Sequence, residues 1–389
     1  MLHRLFVFVL LSLSLSSGAR ATTCTPVDWP LWDSFKQHFL QESGRVLDAS
    51  VPTQLTTSEG QSYGMFFALL ANDRQAFDSM WQWSVDNLAA GDMSKNLPAW
   101  SWGKASDQSW KVLDTNSASD ADVWFVYALL EASRLWSEPS YERSAQALLT
   151  LIEEQELVSL PELGVMLLPG KDGFVQSDTS WLLNASYLPV PVLRYIANIS
   201  QHDQWQSLPE NSLRFIQGAS PKGLAANWNT YQLKDEKYVF TIDEQKGPEG
   251  SYDAIRTYLW AGMIDPADPL AQPTLKALSG MSTLMQAEQR VVPPEKVDTL
   301  TGVASGEGPF GFSAALLPYF TALKNADQLQ WQRERVQVEL RAAFQPTRTA
   351  KAQPSYYDVV LSLFGQGWAE GYYRFNEMGA LLPKWEKEC

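Results

Sequence analysis

Six stretches of this chain are apolar on every face a helix could present, and six charge-bearing ones lie between them. The apolar set covers residues 59–72, 120–136, 183–198, 252–263, 311–323 and 356–365. The amphipathic set covers 30–42, 73–88, 139–154, 202–217, 268–288 and 325–345. "DVWFVYALLEASRLW" shows the first kind and "NADQLQWQRERVQVELRAAF" the second. A helix without a polar face has to be enclosed by its neighbours, whereas one with a charged stripe lies at the surface. Regular alternation of the two predicts an all-α (α/α)6 barrel, six inner helices ringed by six outer ones. The inner helices then run parallel, and their N-termini gather at one end. Short β-hairpins are expected as insertions: "LGVMLLPGKDGFV" turns through 169–173 and "TYQLKDEKYVFTI" through 234–237.

The first residues have a basic start at Arg4, an apolar run from Leu5 to Leu15 and an Ala19-x-Ala21 ending. This is the pattern of a secretory leader cut after Ala21, which predicts export to the periplasm. No Pro/Gly/Ser-rich linker divides residues 22–389, so they read as a single domain. No later run has the length of a membrane span, so no membrane insertion is expected. The formal net charge of −14 disfavours nucleic acid as a partner. The two cysteines, Cys24 and Cys389, stand at the two ends of the mature chain. A toroidal fold makes the first and last helices neighbours, so a disulfide between them is expected.

The chemistry available to such a chain is narrow. Its three histidines are His3, in the leader, and His38 and His202, both on amphipathic segments. Ser-His-Asp, Cys-His and zinc-dependent mechanisms each need histidine at the centre. "GEGPFG" matches a dinucleotide-binding spacing without the strand and βαβ unit that give that spacing meaning. Neither a metal nor a cofactor is expected. Carboxylates remain. Glu59 opens one apolar segment, Asp120 and Asp122 open a second and Asp253 opens a third. Each also fits a capping role: Ser58 and Gln61 bracket Glu59 as a capping box, and Ser251 precedes Asp253 as a cap. In a barrel of parallel inner helices all four acids meet at one rim. Two carboxyl groups flanking a sugar linkage are the requirement for glycoside hydrolysis, one protonated and one ionised. The 16 Trp, 14 Tyr and 17 Phe suit stacking on sugar rings as well as a large core.

"ASDADVWFVYALLEASRLW", residues 118–136, resembles the signature of family 8 of the glycoside hydrolases, inverting enzymes on an (α/α)6 barrel. It departs at Phe125 and Val126, both apolar in an enclosed helix. "TTSEGQSYGMFFALLANDR", "LPAWSWGK", "SYDAIRTYLW", "GFSAALLPYF" and "LLPKWEKEC" are similar to the family's periplasmic endoglucanases encoded beside bacterial cellulose synthase. The resemblance implies an endo-β-1,4-glucanase whose partner is a β-1,4-glucan chain, with the cellulose synthase and export machinery as a further candidate. It implies Glu59 as general acid, Asp253 as the base that activates water, and Asp120 as a ligand of the sugar at the cleavage point. Asp122 follows in the same motif as a further substrate-binding candidate. Tyr187 matches a tyrosine beside the attacking water, although Asn184-Ala185 stands where the family has Asn-Pro. Arg256, Trp102, Trp110, Trp181 and Tyr372 complete the expected groove. Alternative readings are a family 8 enzyme for chitosan, xylan or mixed-linkage glucan, and a non-catalytic glucan-binding component of a secretion apparatus.

Overall fold

The computed structural model describes residues 26–200, 202–345 and 353–387. The expected leader and both cysteines, and with them the expected cleavage and disulfide, lie outside the described residues. In chain order the helices are α1 (Pro30–Phe39), α2 (Ser58–Leu70), α3 (Arg74–Leu88), α4 (Ser119–Trp136), α5 (Pro139–Gln155), α6 (Val190–Ile199) and α7 (Asp203–Gln206). There follow α8 (Leu208–Ala219), α9 (Ala254–Met263), α10 (Ala271–Ala277), α11 (Gly280–Ala287), α12 (Phe310–Ala322), α13 (Ala326–Ala343) and α14 (Tyr356–Ala369). The fold is an (α/α)6 barrel. Helices α2, α4, α6, α9, α12 and α14 form the inner ring, and nearly every residue of α2, α4, α9 and α12 is buried. Among the described residues no helix is long and apolar enough to cross a membrane.

Aromatic side chains fill the barrel axis. Phe66 of α2 meets Trp124 of α4 at 4.7 Å between ring centroids, Trp124 meets Trp260 of α9 at 5.6 Å, and Trp260 meets Phe364 of α14 at 5.2 Å. These edge-on and tilted contacts join four inner helices in one cluster, where a single large-to-small change costs about 3–5 kcal/mol. Elsewhere the ring closes through backbone. Pro318 lies inside α12 and has no N–H to give Ala314, one turn back. Gly365 of α14 packs onto that same Ala314 carbonyl, so closely that a Cβ at 365 would stand 1.8 Å from the oxygen.

Two outer helices differ from the predicted spans. The segment 202–217 breaks into α7 and α8 because Pro209, in the first turn of α8, has no N–H with which to continue α7. The segment 268–288 breaks into α10 and α11, and the buried hydroxyl of Tyr319 takes up the freed Leu278 carbonyl at 2.7 Å. The inner segment 183–198 is helical only from Val190, since residues 183–189 end a strand, form a 3₁₀ turn and reach Pro189.

The hairpin around 234–237 forms as expected, with Lys234 opposite Lys237 and left-handed Asp235 and Glu236 making the turn. The one expected around 169–173 is replaced by two others. Strand Gly164–Leu167 turns back on Leu157–Leu160, and Val175–Ser177 pairs with Ser180–Leu183. Gly164, at φ +100° after a left-handed Glu162, makes the earlier turn tight enough to win.

Candidate active site

The short strand Thr56–Thr57 pairs with Ser101–Lys104 and delivers the chain into α2. The cap is Thr57, whose Oγ1 accepts from Gly60 N at 3.1 Å; the expected Ser58/Gln61 capping box is absent. Gln61 turns inward instead. It accepts from Val46 N at 2.6 Å and donates to Gly44 O, Met80 O and Ser84 Oγ, locking α2 to its outer neighbour. Glu59 is thereby released from capping. Its Oε1 accepts from Trp100 Nε1 at 3.2 Å and its Oε2 from Ser58 Oγ at 3.3 Å, while one edge stays open to solvent. Burial among these groups, with the Asp120 charge adding to it, pushes the Glu59 carboxyl up to about 7. Its own backbone amide, Arg256 and Trp100 act in the opposite direction and are outweighed. A helix N-terminus on its own would have lowered it.

Asp120, at 1% exposure, lies in the first turn of α4. Its Oδ1 accepts from Ala121 N at 2.9 Å, and its Oδ2 accepts from Tyr63 Oη at 3.1 Å and Arg256 Nη1 at 3.3 Å. The other end of the Arg256 guanidinium donates to Asp253 Oδ1 at 3.1 Å and to Ser186 Oγ at 3.1 Å. Arg256 also sits over the Tyr187 ring, 5.7 Å from its centroid. Burial would lower the pKa of this guanidinium, but Tyr63, Asp120 and Asp253 together more than offset it, so Arg256 stays cationic. One arginine thus ties α4, α9 and the 185–187 turn together. That turn forms without the proline: Asn184 Oδ1 accepts from Ser186 N at 2.9 Å and Ser186 Oγ at 2.7 Å. Burial raises the Tyr187 hydroxyl well above its ordinary value, so it is a donor at any physiological pH.

The expected aromatics separate into two groups. Trp102 and Trp110 stack at 5.4 Å and 18°, with Arg45 4.6 Å and 4.9 Å from the two ring centroids. They stand on the sheet that leads into Glu59, and Trp110 is 45% exposed. Trp181, at 6% exposure, packs against Tyr231 and Tyr238 in its own sheet and presents no face to the rim. Tyr372 is at the opposite end of the barrel. It follows α14, whose N-terminus is at the rim and whose 14 residues carry the chain about 20 Å away. There it stacks on Trp29 at 4.7 Å, just before α1. Asp122 is enclosed behind Asp120, because two positions along a helix turn a side chain about 200° away.

Several rim residues were not expected from sequence. Trp100 touches the Glu59 carboxyl, Tyr63 holds Asp120 and Ser186 holds Arg256. Beside Asp253, Tyr252 is 44% exposed and packs against Tyr357 of α14, whose hydroxyl donates to Tyr252 O at 2.6 Å. Tyr63 was within reach of a spacing argument, since it lies one turn from Glu59 on the same helical face. His202 bonds Glu153 on the outer ring, and His38 bonds Ser34 O on α1; neither approaches the rim. The rim therefore holds a raised carboxyl at one inner helix and an ion-paired carboxylate at another, with an aromatic platform alongside. This arrangement can give a proton on one side of a bond and take one on the other.

The family model for "Glycosyl hydrolases family 8" matches residues 5–371. An endoglucanase of Xanthomonas axonopodis pv. citri (strain 306) is 47% identical over 367 residues, covering 94% of this chain and 91% of that protein. An endoglucanase of Escherichia coli (strain K12) is 44% identical over 377 residues, covering 97% and 96%. The crystal structure of the endo-1,4-D-glucanase from Vibrio fischeri ES114 superposes with a TM-score of 0.84 at 38% identity, covering 92% of this chain and 99% of that one.

Proposed function

This chain belongs to glycosyl hydrolase family 8, an inverting family, as an endoglucanase, and from that premise we propose its substrate, its acid and its base. The substrate is a β-1,4-linked glucan lying across the rim. Glu59 gives its proton to the leaving glycosidic oxygen, and Asp253 takes one from a water on the opposite face of the sugar. Asp120 and Tyr187, joined through Arg256, hold the sugar and the water between them. Trp102 and Trp110 carry the chain away from the cleavage point. The leader-like start and the family resemblance support a periplasmic setting in cellulose synthesis and export, with the synthase machinery as neighbour.

One observation carries the assignment of roles. Of the two carboxyls, Glu59 is raised to about 7 by burial and by Asp120, whereas Asp253 is ion-paired to a guanidinium at 3.1 Å. An acid needs the first environment and a base the second.

The test uses soluble carboxymethyl cellulose and a panel of chitosan, xylan and mixed-linkage glucan. On the cellulose derivative, viscosity falls well before reducing ends accumulate, and proton NMR of early products from a cello-oligosaccharide shows the α anomer. A β-anomeric first product, or hydrolysis of another polymer alone, rejects the reading. The platform gives a second expectation. Trp110→Ala raises KM for long glucan by about three- to tenfold, on the order of 1 kcal/mol, with kcat near wild type. A fall in kcat at unchanged KM would remove Trp110 from the groove.

A further inference from the structure

Behind the rim lies a second pair of carboxyls that the reaction does not use. Asp122, in the first turn of α4, and Glu156, the residue that ends α5, are both 0% exposed. They lie within hydrogen-bonding reach of each other. Among the described residues no N–H or O–H reaches either Asp122 oxygen or Glu156 Oε2. The remaining oxygen, Glu156 Oε1, accepts from Ser117 Oγ at 2.6 Å, and Ser117 Oγ in turn accepts from Lys171 N at 3.0 Å. Two enclosed carboxylates with the Ser117 hydroxyl as their one donor among the described residues would each carry a penalty of several kcal/mol. The α5 C-terminus, with its partial negative charge, adds to that penalty for Glu156. The charged groups that act most strongly on the pair are mostly of the wrong sign: Asp120 and Glu59 toward Asp122, and Asp120 toward Glu156, with Lys171 a cation opposing them at Glu156. The donor that completes the pair is a proton of its own.

We propose that Asp122 and Glu156 share one proton and act as a positioning pair for the active centre. The resulting O–H···O bond ties the first turn of α4, which carries Asp120, to the end of α5. Through Ser117 it also anchors the loop that enters α4. Asp120 is thereby held where Arg256 and Tyr63 meet it, and the pair presents one negative charge to Glu59 rather than two. Both carboxyls are raised by burial, Asp122 well above its ordinary value with Glu156 adding to it, and Glu156 to about 7. The proposal rests on the reading of Asp120 and Glu59 given above.

The sign of the linkage follows. The folded pair retains protons that the unfolded carboxyls have released, so this contribution to stability is full below the ordinary carboxyl range. It begins to be lost as pH rises through about 7 with Glu156, and is gone only when the proton held more tightly at Asp122 also leaves. Glu59 contributes in the same direction in every variant that retains it.

Two substitutions separate positioning from plain packing. Glu156→Gln keeps the Ser117 acceptor and offers Asp122 a permanent N–H donor, whereas Glu156→Met fills the volume and offers nothing. We measure melting temperature from about pH 5 to about pH 9, with kcat and KM on carboxymethyl cellulose. The expected Glu156→Gln protein retains most of the wild-type kcat, and its melting temperature falls less steeply with pH than the wild type's. The expected Glu156→Met protein keeps the steep dependence and loses about 10- to 100-fold in kcat at little-changed KM, the scale of a sub-ångström displacement of Asp120. Equal kcat in the two variants, or a pH dependence unchanged in Glu156→Gln, overturns the proposal. The melting curves need no substrate, so failure of the glucanase reading would show separately, as a wild type without hydrolysis.

Discussion

Glu59→Gln lowers kcat on carboxymethyl cellulose by about 10³-fold, inside the 10²–10⁴ range that removal of a general acid produces. Glutamine keeps the shape of the side chain and can still meet Trp100, so glucan binding survives and the loss is confined to chemistry. The chemistry lost is the proton for the leaving oxygen. A cellobioside with a strongly acidic phenol as leaving group needs no such proton, and its hydrolysis by Glu59→Gln falls far less. In the wild type the same group sets the alkaline limb. Activity expressed as kcat/KM is full while Glu59 is protonated and declines as pH rises through about 7. Full activity of Glu59→Gln on the polymer would sink the assignment and leave Glu59 a structural residue beside Trp100.

Asp253→Asn produces a loss of similar size, about 10²–10⁴-fold, and the aryl cellobioside does not rescue it. The contrast is diagnostic because the base acts on water and is needed whatever the leaving group. The introduced amide oxygen would still accept a hydrogen bond from Arg256, and Asp120 and Ser186 remain as the other partners of that guanidinium. The rim therefore stays assembled, and circular dichroism and melting behaviour remain close to wild type. Rescue of Asp253→Asn by the activated leaving group would mean that protonation had been impaired, and the two carboxyl roles would have to be exchanged.

The helices were legible because enclosure leaves a mark that no surface helix carries: α2 and α12 show no polar stripe at all. The positions of the acids followed, since parallel inner helices bring their first turns to one rim. What the sequence hid were choices between competing local options. Gly164–Leu167 lies between two turn signals, and only the backbone of Glu162 and Gly164 decides which partner it takes. Pro209 and the break at Leu278 divide outer helices whose apolar stripes run on without interruption. Trp100 reaches Glu59 through the register of a two-residue strand, a relation spanning 41 positions that no periodicity encodes. Tyr372 resembles a groove residue by type alone, and the length and direction of α14 place it at the far end. Asp122 shares a motif with Asp120, yet helical geometry points the two apart.

The seam at Gly365 has a consequence for how such enzymes diversify. On α14 the contact with Ala314 lies two turns below Tyr357, whose hydroxyl steadies the backbone next to Asp253. Any side chain at 365 would wedge α14 off α12, and Tyr357 would move with it. A position with no side chain to offer thus sets the tolerance with which the backbone beside Asp253, the proposed base, is placed. On the proposed reading, substrate preference can drift along the Trp102–Trp110 platform, where residues are replaceable one at a time. The placing of the proposed base cannot drift in the same way, because it is gauged by a contact between two backbones that leaves no room for a side chain.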